Sequence, residues 1–168
     1  SAEYLENHYQ VPASDILLIK DSEEIQSGNA EDYTCWQEVL DLFRTDLSDP
    51  DNYTALLEKV DIQSLIDWLC TNIYIANTDT RPLGGNVYTW RSIRPTGEDY
   101  NDGKWRWILY DLDDALAVGT EYENNEPWKM DAFTDHAGYY PAGLLDTEPL
   151  PGLMRNEDFR RQFVQTFL

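Results

Sequence analysis

Two groups of oxygen-bearing side chains could do chemistry. One is Asn77-Thr-Asp79-Thr-Arg-Pro-Leu-Gly-Gly-Asn86, a polar loop between an apolar segment and an aromatic one. The other is Asp111-Leu-Asp113-Asp114, which follows directly on the apolar run Trp107 to Tyr110. A strand whose next residues are carboxylates delivers negative charge at a fixed point of the scaffold, and such a cluster calls for a cation. Hard divalent metals take oxygen ligands, so magnesium, manganese and calcium are the candidates. Each group also has a plainer reading. Asp79 and Asn86 are common turn formers, and Asp111 to Asp114 would suit a helix N-terminus, where acids complement the dipole.

The elements that must position these groups are legible in the periodicity. Trp36, Val39, Leu40 and Phe43 share one face of a helix over about 32–45. Leu56, Leu57 and Val60 predict a short helix after the Ser48-to-Asn52 turn signal. Asp61 is a good N-cap for a third helix that carries Ile62, Leu65, Ile66, Leu69, Ile73 and Ala76 on one side. Asn86 to Arg91 and Trp105 to Tyr110 have the aromatic content of strands. Paired as an antiparallel hairpin, they place Asn86 and Asp111 at the same end. A last helix starts at the Asn156 cap and is expected to turn Phe159, Phe163, Phe167 and Leu168 inward. The fold class is therefore α+β and mainly helical.

Composition bounds the partners. The 168 residues include 32 acidic and 12 basic side chains, a net charge of −20. A nucleic-acid binder needs a basic stripe to displace counterions, and an anionic membrane surface repels this chain. The middle block, 61–110, is nearly neutral, with six acids against five bases, and is expected at the centre of the fold. The longest aliphatic run, Ile16 to Ile19, is far short of the roughly 20 residues that span a bilayer. Cys35 and Cys70 have no metal-ligand spacing and read as apolar residues. His8 and His136 read as surface or packing residues. Asp99 to Gly103 fails as a calcium loop, because Tyr100 falls where an oxygen ligand is required. Ser1-Ala2 reads as a tag remnant and 3–168 as one domain.

Taken together, the two groups follow the order in which kinase-like folds build a catalytic site: helix, Asp-containing loop with a downstream Asn, hairpin, then Asp. Asn77-Thr-Asp79, Asn86-Val-Tyr-Thr-Trp90-Arg91 and Gly103-Lys-Trp-Arg-Trp-Ile-Leu-Tyr-Asp111-Leu-Asp113 resemble the signature of the CotH family, spore-coat-protein-H-like atypical protein kinases of bacteria. Asp61 to Leu69 and Asn156 to Phe163 resemble the family's flanking helices. The resemblance implies a kinase-like C-terminal lobe whose hairpin carries the metal-site residues. It further implies transfer of the ATP γ-phosphate, with Mg2+ or Mn2+, to Ser or Thr of a partner protein on a spore coat or cell surface. Asp79 would be the catalytic-loop acid, and Asn86, Asp111 and Asp113 the metal ligands. No phosphate-covering loop or nucleotide-pairing lysine is legible before residue 55. Lys20 reads as a surface strand end, and the chain read alone is expected to bind a cation without transferring phosphate. Two other readings stand beside this one. One is a haloacid-dehalogenase-type phosphatase with Asp111 as nucleophile and Asp113 as general acid. The other is a non-catalytic coat or surface module.

Overall fold

The structure, a computed structural model, describes residues 1–77, 79–113, 115–117 and 149–168. Its elements in chain order are α1 (Ala2–Tyr9), β1 (Ile16–Lys20), β2 (Glu24–Ser27), α2 (Thr34–Phe43), α3 (Pro50–Lys59), α4 (Ile62–Tyr74), β3 (Tyr88–Ser92), β4 (Arg106–Ile108), α5 (Leu150–Leu153) and α6 (Glu157–Phe167). The α+β class holds, with one antiparallel sheet of order β2-β1-β3-β4. Asp114 and His136 lie outside the described residues.

The expected hairpin forms as β3 and β4, but it is only half of the sheet. Ile16 to Lys20 pairs along its whole length with Ser92 to Tyr88. An aliphatic run buried on both faces loses the period-2 signal that would mark it as a strand. One face of the sheet, with Leu17, Ile19, Trp105 and Trp107, packs into the main core against α2, α3, α4 and α6. The other, with Ile16, Leu18 and Trp90, packs against Leu5 of α1 and Val11. Asp21 and Ser22, both left-handed, turn β1 into β2, and β2 ends before Gly28, whose φ of 97° is left-handed and whose added Cβ would lie 2.7 Å from Leu17 Cδ1.

Helices α3, α4 and α6 start at side-chain caps. The Asp49 and Asp61 carboxylates accept from Asp51 N and Ser64 N, at 2.9 and 3.2 Å, and the Asn156 amide oxygen accepts from Asp158 N and Phe159 N at 3.0 and 3.1 Å. Two expectations need correction. Ala76 is not on the helix, because α4 ends at Tyr74 and Ala76 turns left-handed at φ 51°. On α6 only Phe159 and Phe163 are buried, whereas Phe167 is 44% and Leu168 fully exposed, since the core ends before the last turn arrives. Both thiols are free; Cys70 is buried and Cys35 half-buried. Ser1 caps α1, and Ala2 is buried on it.

Candidate functional site

The site is assembled at the end of α4 by a short chain of amide side chains. Asn72, on the last turns of α4, is buried and donates from Nδ2 to Trp68 O at 2.9 Å. Its Oδ1 accepts from Asn77 Nδ2 at 3.0 Å, and Asn77 Nδ2 also reaches Asp111 O at 3.4 Å. Asn77 Oδ1 in turn accepts from the backbone N–H of Asp79 at 3.2 Å. One buried amide therefore ties the loop acid to the segment that follows β4. Asn86 closes the loop from the other side, donating from Nδ2 to Asp79 O at 3.0 Å and to Asp79 Oδ2 at 2.7 Å.

The loop between Asp79 and Asn86 is held as a unit. Arg81 N donates to Gly85 O at 2.9 Å, and the buried Thr80 hydroxyl donates to Asn86 O at 2.9 Å. Trp107 Nε1 donates to Pro82 O at 2.7 Å, which anchors the loop on β4. Asn86 and Asp111 both have left-handed backbones, at φ 50° and 55°. Asn and Asp tolerate that conformation better than other non-glycine residues, and strained backbone of this kind gathers at functional sites.

Asp111 and Asp113 face one another. A carboxyl–carboxyl hydrogen bond to Asp113 is the largest cause raising the Asp111 pKa above its ordinary value. Desolvation and the like charges of Asp113 and Asp79 push the same way, and the Lys20 ammonium opposes them. The like charges of Asp113 and Asp79 make Asp111 harder to ionise, and a cation beside it would ease that cost. Lys20 is the last residue of β1, as expected, but it is more than a surface strand end. It pairs with Tyr88, which pairs with Ile108, so the three residues form one row across the sheet. From there Lys20 Nζ stands 5.8 Å from the Tyr110 ring centroid, and that ring packs edge-on against Tyr88.

All four residues singled out from the sequence, Asp79, Asn86, Asp111 and Asp113, thus lie in one neighbourhood. Asp79 lies in the loop and Asp111 and Asp113 after β4, as expected; Asn86, expected to open the first strand, instead precedes β3, which starts at Tyr88. Among the described residues, no group of three or more His, Cys, Asp and Glu side chains has the geometry of a metal site. Sequence reasoning missed Asn72 and Lys20. The available signal for Asn72 was a polar residue among apolar ones on α4.

A buried amide relay thus fixes a loop Asp–Asn pair beside two neighbouring acids. The family model for CotH kinase protein matches residues 14–168, and the chain belongs to that family. No curated protein and no solved structure matches it.

Proposed function

We propose that this chain carries the acceptor-activating and metal-binding side chains of an ATP-dependent protein kinase acting on Ser or Thr of a spore-coat or cell-surface protein. Membership of a kinase family supports the reaction class. The observation that carries the residue roles is the hydrogen-bonded link Asn86–Asp79–Asn77–Asp111. It sets a candidate base and candidate ligands in fixed relation, and phosphoryl transfer is mostly positioning and charge neutralisation.

Asp79 accepts the proton of the substrate hydroxyl, with Asn86 fixing the orientation of its carboxylate. Magnesium is typically held by one or two carboxylates together with substrate phosphates rather than by an all-protein cage. The Asp111–Asp113 pair meets that demand for one or two carboxylates, with Asn86 as a candidate further ligand. Asp111 and Asp113 would hold a divalent ion, which would supply neutralisation of negative charge on a phosphoryl group. Lys20 offsets part of the local negative charge on the Asp111 side. For the phosphatase reading, Asp111 would need the setting of a parallel α/β sheet, where ligands gather at the carboxyl ends of strands. Here it leaves an edge strand of an antiparallel one.

The test is incubation of the protein with γ-labelled ATP, Mn2+ or Mg2+ and an acceptor protein from a coat. Label on Ser or Thr of the acceptor that is lost in both Asp79→Ala and Asp111→Ala supports the reading. Label that persists in either variant, no Mn2+ binding by the protein, or a trapped aspartyl-phosphate on Asp111 overturns it.

A further inference from the structure

A cavity of about 530 Å³ lies beside β4 between α1 and α4, and none of the candidate site residues lines it. Cavities of roughly 300–1,000 Å³ are the size that takes small ligands. Its two walls differ in chemistry. One is aromatic: Tyr9 packs on Trp90 at 5.0 Å and on Tyr100 at 4.6 Å between ring centroids. Tyr4 continues this wall, and both Tyr4 and Tyr100 are exposed, Tyr100 at 44%. The other wall is the polar stripe of α4, where Gln63, Asp67 and Thr71 recur every four residues.

The aromatic wall is built to stay in place. Tyr100 holds a left-handed backbone, φ 62°, a conformation that costs a bulky residue about 1–3 kcal/mol. What maintains it is Arg106, buried under the wall. Its guanidinium lies 5.1 Å from the Tyr100 ring centroid and 5.8 Å from that of Trp90. It also bonds Asp102 through both carboxylate oxygens, at 2.9 and 2.8 Å, and Asp61 at 3.0 Å. The polar wall is fixed as well, since Gln63 Nε2 donates to Asp67 Oδ1 at 2.7 Å. A carboxylate has about four acceptor sites, so Asp67 keeps acceptor capacity toward the cavity. At the base of this wall the Trp68 indole N–H is buried and has no hydrogen-bond partner among the described residues.

A ligand for such a cleft needs an apolar face to lie on rigid rings and an edge of hydroxyls to meet carboxylate and hydroxyl side chains. A cation suits the rings in principle, but Arg106 already fills that role beside Trp90 and Tyr100. We infer that the cleft between α1 and α4 is a binding site for a neutral saccharide, stacked on Tyr100 and hydrogen-bonded to Asp67. The inference stands apart from the phosphotransfer reading.

The three tryptophans lining the cleft, Trp68, Trp90 and Trp107, provide the readout. The protein is titrated with gluco-, xylo- and manno-configured hexasaccharides, and with pentalysine as the cationic arm, while tryptophan emission is followed. The expected result is a saturable change with at least one hexasaccharide. Its affinity should fall by about tenfold or more in Tyr100→Ala and in Asp67→Ala, and be retained in Tyr100→Phe, with thermal unfolding measured on every variant. Asp111→Ala should leave the titration unchanged. No saturation with any hexasaccharide, saturation with pentalysine alone, or saccharide binding indifferent to Tyr100→Ala and Asp67→Ala would each overturn the inference.

Discussion

Replacing Arg106 by alanine is expected to cost the fold about 3 kcal/mol. The Arg106 side chain is 8% exposed and ion-paired with Asp61 and Asp102, each 29% exposed. Removing one partner from a fully buried ion pair costs roughly 3–5 kcal/mol, because a charge is left without compensation. Asp61 and Asp102 recover some water, which lowers that figure to about 2 kcal/mol by the same reasoning. The lost packing against Trp90 and Tyr100 adds about 1 kcal/mol. In urea, with a slope of roughly 2–3 kcal/mol/M, the midpoint should fall by about 1–1.5 M at unchanged slope. Arg106→Lys should recover less than half of the loss, since an ammonium cannot bond Asp102 bidentately while reaching Asp61. The pH dependence has a definite sign. Burial opposes ionisation of Asp102, but the Arg106 hydrogen bonds and the Lys104 N–H outweigh it and depress its pKa. Its contribution is therefore present above the unfolded carboxyl value of about 3.9 and is lost as pH falls through the lower folded value. The gap between wild type and Arg106→Ala should narrow in that acid window. A loss below about 1 kcal/mol at neutral pH would refute the assignment of Arg106 as the ion-paired support of this edge of the sheet, given what a broken buried pair ordinarily costs.

Other outcomes follow from the same structure. Asn77→Ala should destabilise by about 1–3 kcal/mol, as a buried relay is cut, and weaken Mn2+ binding about 10–100-fold, both measurable by calorimetry; unchanged Mn2+ affinity would separate the relay from the metal residues. Because Asp111 has a raised pKa, it holds a proton at higher pH than an ordinary Asp. Mn2+ affinity should therefore rise as pH increases through that titration, with proton release on binding, and Asp113→Asn should move the rise to lower pH. Gly28→Ala puts a Cβ 2.7 Å from Leu17 Cδ1 on a left-handed backbone, so thermal unfolding should show a loss of about 1–3 kcal/mol.

What could be read without coordinates was everything encoded locally. The apolar spacing of Trp36, Val39 and Phe43, the caps Asp61 and Asn156, and the aromatic strands around Trp90 and Trp107 each leave a signature within a few residues. That Asp79, Asn86, Asp111 and Asp113 flank the hairpin was readable for the same reason, since each lies next to an element whose end the pattern marks. Ile16 to Lys20 could not be placed this way. Four consecutive aliphatic residues fit a buried strand or a buried helix equally, and only pairing with Tyr88 to Ser92 chooses between them. Asn72 and Asn77 show the same limit, because whether an amide is a turn former or a buried relay depends on which carbonyls stand opposite it. Lys20 is the sharpest case. Its neighbours in the chain are the acids Asp21, Glu23 and Glu24, which suggested a solvated strand end. Its neighbours in space are Tyr110 and Asp111, some 90 positions away. Electrostatic partners are set by distance through the fold, and a strand crossing the middle of a sheet brings together charges that no local window contains.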